Sequence, residues 1–389
     1  MKPEDFTNCY TGRLAQIGEH WAFVPRELPP GLSCEAEVLQ ESDAAMLALG
    51  ELRAIIPFMP NPELLTYPFL RREAVLSSKI EGTHTELGQL YLFESEANDR
   101  VRQKKSDAPE DAREVHNYVL ALEHGLRELR DGMPLCNGML RRMHERLLDG
   151  VSYERGRYKF PGQFRPDQAF IGRTDDIASA RYVPPPPDLV EGLMSDLEKY
   201  IHSEVKYHPS LVRIALIHYQ FEAIHPFSDG NGRIGRLLIS LLLAAWEMLP
   251  QPLLYLSAYF ERKVTEYRDR LWRVSCEEDW IGWIRFFLQG VRSEAEDATR
   301  RARQLLDLRE AYRQLLQKPR GSGSPLVLTD FLFQQPFLTI SHAAELLGVT
   351  YNSGMKNVEK LVEAGILSEY DQRAWGKIYY AKTILGVLD

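Results

Sequence analysis

The chain has 389 residues and a formal net charge of −8, which gives room for two or three domains around a sizeable core. That charge excludes a chain-wide attraction to nucleic acid or an anionic membrane, although a local basic patch is compatible with it. The four cysteines, Cys9, Cys34, Cys136 and Cys276, form no close pair, so neither a disulfide framework nor a zinc site is indicated, and a reducing cytoplasm fits.

The first residues, MKPEDFTNCYTGR, carry no apolar run of the kind that directs secretion. Residues 1 to about 65 are proline-rich, with one predicted helix over Ser42–Ile55 presenting Met46, Leu47, Leu49 and Leu52. A second helix is predicted from about Pro68 to Glu81, ended by Gly82. The polar stretch EANDRVRQKKSDAPEDAREV predicts a solvated loop, after which a helix-rich block runs from near Glu114 to about residue 250. Within it, GQFRPDQAFIGRTDDIASARYVPPPP (Gly162–Pro187) predicts a short exposed hairpin. The longest apolar stretch, Leu237–Trp246, is about half of what a bilayer span needs and predicts a buried helix. Apolar residues at spacings of three and four predict a long helix over Val291–Leu315, followed by a flexible joint at Lys318–Pro325. The remainder predicts a helix, a turn at Gly348, a second helix to Ala364 and a two-strand ribbon around Ala374–Lys377, the order of a winged helix-turn-helix. The expected division is therefore 1–113, 114–250, 251–324 and 325–389. No internal repeat is visible.

The densest chemistry is HPFSDGNGRIGR, His225–Arg236. The segment before it is apolar nearly all round, with Leu211, Ile214, Ala215, His218 and Phe221 on one side and Val212, Leu216 and Tyr219 near the other, as a core helix would be. Pro226 disfavours the α conformation at His225, so that helix should end near Ile224 and leave the imidazole at a helix-to-loop break. Gly230 and Gly232 allow close approach to the main chain where the next helix begins, and the unpaired N–H groups there form an anion site suited to phosphate. Arg233 and Arg236 share one side of that helix's first turn and oppose its dipole, which an anion of several charges explains. Asp229 beside such an anion points to a bridging divalent cation, Mg²⁺ being the usual one with phosphate. His225 is then placed as a general base for a hydroxyl nucleophile.

With every defined position present, HPFSDGNGRIGR resembles the signature of Fic-domain proteins. The resemblance implies a mainly α fold, with a helical core, a small β-hairpin flap and a C-terminal winged helix-turn-helix. It implies transfer of AMP from ATP to a hydroxyl of a target protein (Ser, Thr or Tyr), with ATP as substrate and Mg²⁺ as metal. His225 would be the base and Asp229 the Mg²⁺ ligand, with Phe227 anchoring the loop. Pro226 and Ser228 complete the nucleotide loop, Gly230, Asn231 and Gly232 would hold phosphates, and Arg233 and Arg236 would hold the distal ones. Arg262 and Tyr267 are candidates near adenine. SSKIEG is similar to the family's inhibitory-helix motif, through Ser77, Glu81 and Gly82, so Glu81 is expected to pair with Arg236. Phe170 and Ile171 lie in the segment similar to the target-docking flap.

Blander readings stand beside these. His225 before a proline can be structural, Arg236 can be a surface ion pair, and Glu81 can be the last exposed residue of a helix capped by Gly82. A glutamate there meets the negative end of the helix dipole, however, so a compensating cation is expected. Glu222 reads as a structural hydrogen-bonding partner. From Pro325 onward five lysines and arginines face seven acids, which favours a packing or protein-recognition role for the winged helix over DNA binding. Removal of AMP from a modified protein, and a DNA-binding regulator that senses nucleotide, are the alternative functions. Self-modification and a homodimer are open, and no membrane association is expected.

Overall fold

The computed structural model describes all residues except 7–9, 33–35, 59–60, 101–109, 152–158, 173–175, 205–207, 318–322, 371–376 and 389; for 96–100 it describes the backbone alone. In chain order it begins with strands β1 (Gly12–Ile17) and β2 (His20–Pro25). Eight helices follow: α1 (Ala36–Ile55), α2 (Glu63–Ile80), α3 (Leu87–Arg100), α4 (Glu110–Arg130), α5 (Asn137–Leu147), α6 (Pro187–Ile201), α7 (Ser210–Ile224) and α8 (Asn231–Ala245). Then come α9 (Ser257–Arg262), α10 (Val264–Glu277) and α11 (Trp280–Leu316). The last elements are α12 (Ser324–Gln334), β3 (Phe337–Thr339), α13 (Ile340–Leu347), α14 (Tyr351–Glu363), β4 (Ser368–Glu369), β5 (Ile378–Tyr380) and α15 (Lys382–Leu388).

The two apolar segments flanking the central motif, α7 and α8, pack against each other in the core. Every residue of α7 except Ser210 and Glu222 is buried, as its all-round apolar sequence requires. Helix α8 is buried from Asn231 to Leu243 save for Gly232. Around this pair pack α4 and α5 on one side and α11 on the other, while α2 lies against α4, α8 and α9. No helix among the described residues is long and apolar enough to cross a membrane.

Several elements differ from the sequence expectation. The proline-rich start folds into the hairpin β1–β2, whose Phe23 N–H donates to the Val183 carbonyl beyond the flap. Helix α1 buries Leu49 and Leu52 but exposes Met46 and Leu47, because Val38, Ala45 and Ile55 complete the inward face. Helix α2 starts five residues before Pro68, which lies early enough to cost only one intrahelical bond. Residues 96–100 of the expected loop continue α3, and Glu110–Arg113 already belong to α4. The expected flap hairpin is a single bridge, Ile171 to Tyr182, with residues 173–175 outside the described set. The long helix begins at Trp280 rather than Val291. In the C-terminal part, β3, β5 and β4 form an antiparallel sheet in that order beside the helix–turn–helix pair α13–α14, and Gly348 sits at the turn with φ 63°. Most of the expected ribbon tip lies outside the described residues. Helix α12 packs against α2 and α11, and Arg309 grips Asp330 through two bonds of 2.7 and 3.0 Å.

One acid on α2 is buried among these contacts. Glu73 accepts from Tyr118 Oη at 2.9 Å and from Ser257 Oγ at 2.5 Å, and burial pushes its pKa up to about 7. An acid bound more tightly to its proton in the folded state stabilises the fold most below its unfolded pKa. That contribution is lost as pH rises through about 7. Glu73→Gln, which mimics the protonated form, is therefore expected to flatten the fall in thermal stability between pH 5 and 8 by up to about 3 kcal/mol. An unaltered pH profile of the melting temperature would rule this out.

Candidate active site

Helix α7 ends where Pro226 requires it. His225 caps it in the left-handed conformation, φ 52° and ψ 61°, which turns the chain sharply into the loop. The loop is closed from inside by Asn231, whose Oδ1 accepts from Phe227 N–H and whose Nδ2 donates to the Phe227 carbonyl, both at 2.8 Å. Phe227 is fully buried and stacks on His144 with centroids 3.9 Å apart. His144 fixes the loop from the other side: its Nδ1 accepts from Gly162 N–H and its Nε2 donates to the Asp229 carbonyl, each at 3.0 Å. Burial holds this imidazole down at about 4, so it is neutral with its proton on Nε2. Gly230, at φ 75°, begins α8, and the first-turn N–H groups of that helix have no intrahelical acceptor. Unpaired N–H groups at a helix N-terminus favour an anion.

Two arginines of α8 meet three acids. Arg236, 2% exposed, donates from Nε to Ser77 Oγ at 2.8 Å, and from Nη2 to the Ser77 carbonyl at 2.9 Å and to Glu81 Oε1 at 2.7 Å. Burial alone would raise the Glu81 carboxyl, but the Arg236 guanidinium outweighs it and holds the group below the usual carboxylate range. The end of α2 that carries Glu81 is fastened by Arg268, which donates to the Ile80 carbonyl at 2.8 Å. Arg233 is engaged separately, 3.3 Å from Glu114 and 3.7 Å from Asp229. Glu114 also accepts from Thr83 Oγ1, so the turn after Glu81 is tied to the same acid.

Glu81, Glu222, His225, Gly232, Arg236, Tyr267 and Arg268 line one cavity of about 440 Å³, closed on its other side by Phe170, Ile171 and Trp272. Glu222 Oε1 is buried there without a hydrogen-bond partner, and burial pushes the acid up to about 8 against the pull of Arg236. A Cβ on Gly235 would collide with that oxygen, so the acid lies tight against α8. The His225 imidazole is held at about 4, by burial first and then by the nearby Arg165 charge.

Family models match this architecture twice. The model of the Fic/DOC family N-terminal region covers residues 39–127, and that of the Fic/DOC family covers 134–243, together about half of the chain. The chain belongs to the Fic/DOC family. The Fic region is similar to a "Protein adenylyltransferase Fic" of Culex quinquefasciatus, 33% identical over 134 residues, which is 33% of this chain and 24% of that protein. It is likewise similar to "Protein adenylyltransferase fic-1" of Caenorhabditis briggsae, 29% identical over 129 residues and again 24% of the relative. The matched region thus spans about a quarter of the length of these curated relatives. In fold, a Fic family protein from Desulfovibrio desulfuricans G20 aligns over 91% of this chain and 98% of its own, with a TM-score of 0.57 at 21% identity. A Fic-domain signaling protein from Bacteroides thetaiotaomicron covers 67% of this chain and 98% of its own, with a TM-score of 0.51 at 18% identity.

The Fic motif residues converge as their spacing implied, with three redistributions. Asn231 commits its side chain to closing the loop, leaving its backbone N–H to face an anion. Arg233 is anchored on Glu114 rather than free. Arg262 lies outside the cavity and is bound to Glu294 at 2.5 Å, whereas Tyr267 does line it, donating to His218 Nε2 at 2.8 Å. Four contributors escaped the sequence reading: Glu114, His144, Arg165 and Arg268. His144 left a trace, a polar residue within the buried stripe Met139, Leu140, Met143, Leu147 of α5. The other three are brought in from separate elements and leave none.

Proposed function

We propose that this chain is a protein adenylyltransferase that moves AMP from ATP to a hydroxyl of a target protein, releases pyrophosphate, and is restrained by its own Glu81. The observation that carries this reading is the Arg236–Glu81 pair inside the cavity that also holds His225: a carboxylate occupies the cation placed for a terminal phosphate.

The anion site at the start of α8 receives the phosphates, with Gly230 and Gly232 permitting close approach. His225 takes the proton as the target's oxygen bonds to the α-phosphorus and the bond to pyrophosphate breaks. At about 4 the free imidazole is neutral and receptive, and the negative charge of bound phosphate raises its proton affinity toward the working range. Mg²⁺ fits the donors present: the Asp229 carboxylate is 41% exposed beside the phosphate site, and one carboxylate with phosphate oxygens and water is an ordinary Mg²⁺ environment. Asp229 would hold the ion, which neutralises phosphate charge when bound. An extended target segment would pair with the flap edge at Phe170 and Ile171.

Incubation with ATP labelled at the α-phosphate tests the reading directly. Label is expected on protein, in this chain or in an added target, and its yield should rise when Glu81 is replaced. Label at the γ-phosphate transferred instead, or none transferred by the Glu81 variant, would refute it.

A further inference from the structure

Arg165, in GQFRP just before the flap, is 2% exposed, and every hydrogen bond of its side chain goes to a backbone carbonyl. Nε donates to His225 O at 2.8 Å, Nη1 to Asp167 O at 3.1 Å, and Nη2 to Pro185 O at 2.5 Å and Ile224 O at 3.5 Å. Its own N–H donates to Pro226 O at 2.9 Å. One residue thus grips the carbonyls of three consecutive residues, 224 to 226, with His225 in the middle.

A guanidinium so buried ordinarily has a carboxylate partner, yet among the described residues none contributes to its charge balance; burial lowers its pKa to about 10, and Tyr182 alone opposes this. Only arginine stays charged there. What compensates it is the negative end of α7, whose last carbonyls it binds. The same spot needs bracing. His225 holds a left-handed backbone that non-glycine residues disfavour, and such a conformation persists only where its surroundings over-determine it.

We propose that Arg165 is a positioning residue for the adenylyl transfer: through backbone carbonyls its fork locks His225 in the left-handed conformation that aims the imidazole into the nucleotide cavity, and sets a fixed positive charge beside it. The inference rests on the adenylyltransferase reading. The charges that face the imidazole are Arg165 from the segment before the flap, Glu81 from the end of α2 and Asp229 from the loop, with the Glu222 carbonyl on its own helix. Burial does most to keep the ring neutral, and Arg165, the cation among these charges, adds to it against the two acids until phosphate arrives.

The test uses full-length protein carrying Glu81→Gly, with Arg165→Gln and Arg165→Lys added singly. Both are expected to lower kcat for AMP transfer about 100-fold, the effect of misplacing a reacting group by about an ångström, while ATP affinity by calorimetry changes less than about twofold. Lysine keeps the charge but lacks the fork, so it should not rescue. In nucleotide-free protein with ¹⁵N-labelled histidine, the His225 titration should move up by about one unit in the glutamine variant and stay low in the lysine variant. Unchanged kcat in either folded variant overturns the proposal, as does a parallel loss of ATP affinity, which would make Arg165 a nucleotide ligand or a general support. If the parent transfers no AMP, the adenylyltransferase reading has failed. The titration still decides the clamp, since an unmoved His225 in the glutamine variant sinks it.

Discussion

Replacing Glu81 by glycine is expected to raise AMP transfer tens- to hundreds-fold. The carboxylate holds Arg236 Nη2 at 2.7 Å, and Ser77, one turn earlier on α2, takes Nε at 2.8 Å, so the guanidinium has its donors turned toward α2. ATP entering this site meets a fixed negative charge where its terminal phosphate should lie. Glu81 also approaches α8 so closely that a Cβ on Gly232 would collide with Oε1, so the carboxylate lies directly against the first turn of that helix. Removing one partner of a fully buried ion pair costs about 3–5 kcal/mol, but a third of the Glu81 side chain is exposed and the pair is correspondingly weaker. Each ~1.4 kcal/mol changes a population tenfold, which gives the stated range. The backbone tolerates the change, because Glu81 sits at φ −90° and the left-handed turn belongs to Gly82 at φ 92°.

The uncompensated Arg236 supplies a second readout. Without nucleotide the glycine variant should melt at a lower temperature than the parent, and saturating ATP should raise its melting temperature more than the parent's, because phosphate replaces the lost acid. Arg236→Ala must not copy the gain, since it frees the site while discarding the phosphate ligand. A folded Glu81→Gly protein with the parent's rate would mean that α2 merely packs beside the core.

Residues contiguous in sequence were legible, and those assembled from afar were not. His225 at a helix end, the glycines of the loop and the buried partner helices all follow from local pattern, because each depends on a helix period, a proline or a motif within a few residues. The pairing of Ser77 and Glu81 with Arg236 spans 159 and 155 positions, and only the family resemblance carried it. Glu114 sits 119 residues from Arg233, and nothing in its own helix marks it apart from other surface acids. Arg262 illustrates the converse error: an arginine near the core in sequence found a nearer acid, Glu294, and left the cavity. The hairpin β1–β2 was hidden because its inward face is completed by Val183 and Tyr182 at the flap, so its own residues alternate only weakly.

Replacing His225 is expected to have the largest effect of any single change: AMP transfer falls at least about 1,000-fold while ATP affinity stays within a few-fold of the parent. A positioned general base contributes about 10²–10⁴ to rate, and among the described residues His225 is the one histidine that lines the cavity. His144 spends both ring nitrogens on Gly162 and Asp229, and His218 spends both on Gly235 and Tyr267. The anion site survives the substitution, because it is made of α8 N–H groups, Gly230 and Arg236. Alanine at φ 52° adds backbone strain, so His225→Asn is the cleaner partner variant, asparagine being among the residues that accept the left-handed region. Both variants should lose transfer equally; recovery of activity in the asparagine protein would assign His225 a backbone role only. The pH dependence carries the same test. A base acts in its deprotonated form, so activity is present above its pKa and lost as pH falls through it. The profile of kcat/KM reports the free enzyme and should bend near 4, where burial and Arg165 hold the imidazole, while the kcat profile reports the nucleotide complex and should bend at higher pH, because bound phosphate stabilises the imidazolium. Two profiles bending at the same pH would mean that the phosphates do not reach His225, and a base elsewhere would have to be sought.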